Sequence, residues 1–307
     1  MAKRSKSGEW KSSRLGSKLS AYVELVRPHN VLAAILCVIL GVLSASRAVE
    51  YSLSILDAVI ACAVVALVSA SGYAINDYFD YKVDAVNKPY RPIPSGRVSL
   101  GEVLYFSLVL GIVGVAISAW FNYISLIFVA LNAVLVYSYS ARIKERGLLG
   151  NLVVSFEGSA SILYGSLVVY TRTGVLDALS SALVPASIAF TLLLGREIVK
   201  TIEDYYADSV RNVRSLPRVV GLRVSAVVAS AVLLLVPALA VLPLYTKLYN
   251  TSVYLPLATV TVVIVVFSVV KLLRSPNLVL AAIKVRSILK IAMVTGILAL
   301  TLSLLIT

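Results

Sequence analysis

The chain of 307 residues is 59% hydrophobic and only 14% charged, with a mean hydropathy of +0.92. Soluble domains run at about 45–50% apolar and about 25% charged residues, so a soluble globular domain and a disordered chain are both excluded. A net charge of +13 would point to nucleic acid in a soluble protein. In a membrane protein its placement between spans decides, and no nucleic-acid partner is expected.

Residues 1–26 are basic and Ser-rich and lack the apolar core of a cleavable signal. They predict a cytoplasmic tail leading into a short interfacial helix, with 27–307 as a single membrane domain. Apolar segments follow at 30–46, 55–76, 101–120, 122–140, 149–170, 178–200, 222–244, 253–273 and 286–306. At about 20 residues per span these predict nine transmembrane helices, and no alternating pattern supports a barrel. Cys37 and Cys62 lie inside apolar runs without metal-type spacing and read as packing residues. His29 is the only histidine, so no histidine-based metal site is available. Glu157 stands inside the fifth apolar segment, to be bonded to a facing helix or to line a cavity.

With the N-terminus inside, 25 of the 28 Lys and Arg fall on the inner side, and only Arg47, Arg172 and Lys247 fall outside. That asymmetry predicts a multi-pass protein of the cell membrane with a cytoplasmic N-terminus and an external C-terminus.

Six of the 15 acidic residues crowd into two short stretches. Asn76, Asp77, Asp80 and Asp84 stand at the inner end of the second segment; Glu203, Asp204 and Asp208 stand at that of the sixth. At helical spacing Asn76, Asp80 and Asp84 form one stripe, and Arg196, Lys200, Asp204 and Asp208 form another. Carboxylates at a membrane boundary default to function, although solvated loops of mixed charge are the plainer alternative. Hard oxygen donors on two helices suit Mg²⁺, which is commonly bound through carboxylates plus substrate phosphates. Lys88, Arg91, Arg97, Lys144 and Lys200 are placed to neutralise a diphosphate.

Asn76-Asp-x-x-Asp-x-x-x-Asp after the second span, paired with Asp204-x-x-x-Asp208 after the sixth, resembles the UbiA superfamily of intramembrane prenyltransferases. Arg91-Pro-Ile-Pro-Ser-Gly-Arg97 is similar to that family's basic stretch, and Lys144 to its lysine after span four. The resemblance implies nine helices bundled around a lipid-accessible cavity, with both Asp-rich segments as cytoplasmic loops. It implies Asn76, Asp80, Asp84, Asp204 and Asp208 as Mg²⁺ ligands, with Asp77, Asp80, Lys144 and Asp204 in catalytic roles. Asn30 and Tyr139 would line the substrate cavity.

Arg27-Pro-His-Asn30, the Arg91–Arg97 run and Arg196-Glu-Ile-Val-Lys200 with Leu216-Pro217 are most like the members of archaeal ether-lipid synthesis. Those transfer a geranylgeranyl group from its diphosphate to the hydroxyl of geranylgeranylglyceryl phosphate and release pyrophosphate. Thr201 and Ala207 depart from that pattern, where Asp and Gly are usual. An aromatic acceptor of hydroxybenzoate or naphthoate type is the alternative within the same fold. A cation-coupled secondary transporter is the rival class, but its acids would stand near the bilayer midplane. No protein partner is required by either prenyltransfer reading.

Overall fold

The computed structural model describes residues 17–210 and 213–306. Among these the regular structure is entirely helical. Helix α1 (17–26) precedes α2 (Pro28–Ala48), α3 (Ile55–Asn87), α4 (Leu100–Ser118), α5 (Tyr123–Ala141) and α6 (Leu148–Thr173). Then come α7 (Asp177–Ser181), α8 (Leu183–Glu203), α9 (Tyr205–Val210), α10 (Leu216–Val220), α11 (Leu222–Leu239) and α12 (Leu242–Tyr245). The chain closes with α13 (Thr251–Arg274) and α14 (Leu278–Leu305). Nine helical segments among the described residues are long and apolar enough to cross a membrane, as the sequence predicts. Most of the expected tail, 1–16, lies outside the described residues.

Neighbours in sequence are neighbours in space. The order α2, α3, α4, α5, α6, α8, α11, α13, α14 runs around a ring that closes where α14 packs on α2. Two further pairings, α2 with α6 and α8 with α14, draw the ring inwards. The first depends on glycine: a Cβ on Gly41 would stand 2.0 Å from the Ile162 carbonyl oxygen, and one on Gly165 2.2 Å from that of Val38. Small residues that let backbones touch are how helices associate in lipid, where apolar burial supplies no drive. The outward faces keep large apolar residues such as Val59, Ile112, Leu131 and Val263 exposed, as a surface against acyl chains requires.

The two ends of the bundle are fastened differently. At one end Asp57 of α3 accepts from Arg172 of α6 at 2.7 and 3.0 Å and from the Trp120 indole at 2.8 Å. There Arg47 also donates to the Leu304 carbonyl at 2.9 and 3.1 Å, tying α2 to α14. At the opposite end lie 88–99, 142–147, 204–210, 213–221 and 275–277, with most of the charge among the described residues. Gly147, at φ +58°, passes so close to Arg214 that a Cβ would meet its carbonyl oxygen at 2.3 Å.

Candidate active site

The first acidic segment is a helix end rather than a loop. Nothing from Asn76 to Asn87 breaks a helix, so α3 runs about three turns past its apolar part until Pro89 excludes Lys88 from helical conformation. The second begins on α8, which stops at Glu203. After a one-residue break at Asp204, α9 resumes, with the Asp208 amide bonded to the Asp204 carbonyl at 2.8 Å.

The helix turn sorts the first motif into two faces. At about 100° per residue, the four-residue stripe drifts by about 40° per step, so Asp84 ends only about 20° from Asp77. Arg91 bridges these two, at 3.1 Å to Asp77 Oδ1 and 2.5 Å to Asp84 Oδ2. Arg27 approaches the same Asp77 oxygen at 2.5 Å and stacks its guanidinium 5.2 Å over the Tyr73 ring. Partial burial works against the Arg91 charge, but Asp77 and Asp84 outweigh it and raise its pKa above the usual arginine value. On the other face Asp80 accepts from Lys144 at 2.6 Å and from the Asn76 amide at 3.1 Å.

The second motif has its own set. Buried Glu197 accepts from Arg196 at 2.5 Å through Oε1 and faces Lys200 at 3.6 Å through Oε2. Glu203 pairs with Arg286 of α14 at 3.1 Å. Asp204 makes no ion pair within 4 Å among the described residues, and Asp208 is buried, with its carbonyl held by Arg218 at 3.0 Å. Tyr139 stands half-buried in the last turn of α5, five residues before Lys144.

Two of the expected site residues have ion-pair partners of their own. Asp77 is 5% exposed and held by two guanidinium groups. Arg97 is bonded to Glu24 of α1 at 2.7 Å and to the Tyr90 carbonyl at 2.7 Å. Lys88 caps α3, half-buried and without an ion pair among the described residues, and Asn30 occupies the first turn of α2 beside Arg27. Arg27, Glu197 and Glu203 stand inside the quoted runs without a role of their own, and Arg286 enters the sequence reading only through the charge count. No spacing rule links Glu203 to a residue on the last helix.

The donor set is oxygen throughout: Asn76, Asp80, Asp84, Asp204 and Asp208. Among the described residues no group of three or more His, Cys, Asp or Glu stands close enough to hold a metal unaided. Carboxylate and amide oxygens are the donors that Mg²⁺ takes, its shell completed by water and phosphate oxygens.

A nine-helix membrane bundle with its acids and cations gathered at one end is the architecture of an intramembrane prenyltransferase. Residues 34–294 match the UbiA prenyltransferase family, and the chain belongs to that family. It is 36% identical over 281 residues to digeranylgeranylglyceryl phosphate synthase of Saccharolobus solfataricus, covering 92% of this chain and 95% of that one. A solved structure concerned with digeranylgeranylglyceryl phosphate synthase in membranes aligns at TM-score 0.74 and 31% identity, covering 94% of this chain and 98% of its own. A UbiA homologue from Archaeoglobus fulgidus, solved with DMAPP and Mg²⁺, aligns at TM-score 0.62 with 17% identity, over 91% of this chain and 98% of its own.

Proposed function

We propose that this protein transfers a geranylgeranyl group from its diphosphate to the hydroxyl of geranylgeranylglyceryl phosphate, with Mg²⁺, releasing pyrophosphate. The carrying observation is its likeness to enzymes named for that product, at 30% to 40% identity over most of the chain. In the same reading it is a cell-membrane protein with its acidic ends, and its N-terminus, on the cytoplasmic side. The cation count, 25 of 28 on one side, supports that orientation.

Asn76, Asp80, Asp84, Asp204 and Asp208 would hold the metal between the ends of α3 and α8. Bound there, Mg²⁺ would supply Lewis-acid withdrawal of charge from the leaving diphosphate. Lys144, Arg91, Lys200 and Lys88 supply cations at the same end, and their partners Asp80, Asp84 and Glu197 hold three of them in place before substrate arrives. The allylic C–O bond breaks and the acceptor oxygen closes a new ether bond. The hydroxyl proton leaves after ionisation, so no strong base is needed. The apolar bundle below, including Tyr139 and Asn30, keeps water from the cationic carbon.

The test is to incubate the purified protein with geranylgeranyl diphosphate and a panel of acceptors, then analyse the lipid extract by mass spectrometry. Digeranylgeranylglyceryl phosphate should form, and geranylgeranylglycerol without its phosphate should be a much poorer acceptor. Prenylation of hydroxybenzoate alone would refute this assignment.

A further inference from the structure

We infer that Arg196, with Lys200 beside it, is the binding site for the phosphate of the acceptor; this rests on the acceptor being a phosphorylated glycerol lipid. Arg27 and Arg91 face Asp77 and Asp84, Lys144 has Asp80, and Arg286 has Glu203. Arg196 and Lys200, one turn apart on α8, have between them a single carboxylate within 4 Å, that of Glu197.

A second observation points the same way. Nε of Arg196 is buried and has no hydrogen-bond partner, although the side chain retains 17% exposure. A buried guanidinium N–H without an acceptor is costly, and an anion that supplied oxygens would remove the cost. A phosphate suits the flat, forked guanidinium by accepting two parallel bonds. Glu197 can hold the group oriented meanwhile, using Nη1 and leaving Nε free.

Position along α8 separates this anion from the donor's diphosphate. Lys200 and Arg196 lie one and two helical turns, about 6 and 12 Å, below Asp204 on the bilayer side. An allylic carbon must point from the diphosphate into the apolar bundle, so the attacking hydroxyl lies below the metal level. In a glycerol the phosphate is only a few bonds from that hydroxyl. A site one to two turns below Asp204 is where it falls, with Lys200 at the boundary between the two anions.

Equilibrium binding to the full-length protein in nanodiscs, without prenyl donor or Mg²⁺, tests this independently of turnover. Arg196→Gln should weaken geranylgeranylglyceryl phosphate by about ten- to a hundredfold, the loss of one or two charge-assisted bonds. Unphosphorylated geranylgeranylglycerol should change by less than about threefold, a margin inside the smallest such bond. Arg196→Lys, which keeps the charge and the fold, should recover part of the loss. Equal weakening of both lipids, or none, would overturn the inference, as would a greater loss for geranylgeranyl diphosphate measured with Mg²⁺. The proposed reaction fails separately: wild-type protein that binds the phospholipid through Arg196 yet prenylates only hydroxybenzoate would refute the reaction and leave the site.

Discussion

Arg27 and Asp77 lie 2.5 Å apart, and the oxygen that Arg27 reaches is shared with Arg91 at 3.1 Å. Arg27 achieves this from the joint between α1 and α2, where its backbone has φ +49°, a conformation that non-glycine residues seldom take. One carboxylate thus gathers the start of α2, the end of α3 and the loop after it. Asp77→Ala strands the partly buried Arg27 guanidinium, while Arg91 keeps Asp84, and should cost about 1–3 kcal/mol, the usual result of leaving one buried polar group unpaired. Thermal unfolding in detergent measures it, and a melting point equal to wild type would show that Asp77 has no such role.

Asp80→Ala and Asp204→Ala should behave in the opposite way. Both carboxylates are more open, and Asp204 has no ion-pair partner among the described residues to strand. Transfer should fall by at least about a hundredfold, the scale of losing a charge-stabilising group at a reacting centre, while Asp204→Ala melts near wild type and Asp80→Ala, which strands Lys144, melts somewhat lower. EDTA should stop the reaction and Mg²⁺ restore it. Near-normal turnover by either variant at saturating Mg²⁺ would refute a site built from both acidic ends.

The span count and the two acidic ends were legible in the sequence because each is a local pattern. Twenty apolar residues, or Asp at every fourth position, need no knowledge of the fold. The helical run from Asn76 to Asn87 is half-legible: its spacing is helical, while the family resemblance implies a loop. The partners were not legible. Arg27 with Asp77, Glu24 with Arg97 and Glu203 with Arg286 are joined by helix packing across the ring, and any of the many inner-face cations satisfies a charge count equally well.

Gly41→Leu and Gly165→Leu test the packing itself. Even one methyl at either position would collide with backbone oxygen, and backbone cannot yield as a side-chain tip can. A destabilisation of at least about 1–3 kcal/mol is expected from overpacking, with a matching drop in melting temperature. Gly101, with open space around its Cβ position, is the control: Gly101→Ala should leave melting unchanged or slightly raised.

Orientation has a direct assay. A cysteine replacing Lys88, beside the first acidic end, should resist a membrane-impermeant maleimide in intact cells and react once the cells are opened. A cysteine replacing Lys247, at the opposite end, should react without opening. The reverse result would invert the topology.

Asp57, Trp120 and Arg172 stand at the far end from the chemistry, as does the grip of Arg47 on the Leu304 carbonyl. An anionic headgroup bound among Lys144, Arg91 and Arg196 would compete for those cations with Asp80, Asp84 and Glu197, and would leave the bonds that tie the far end of the bundle untouched.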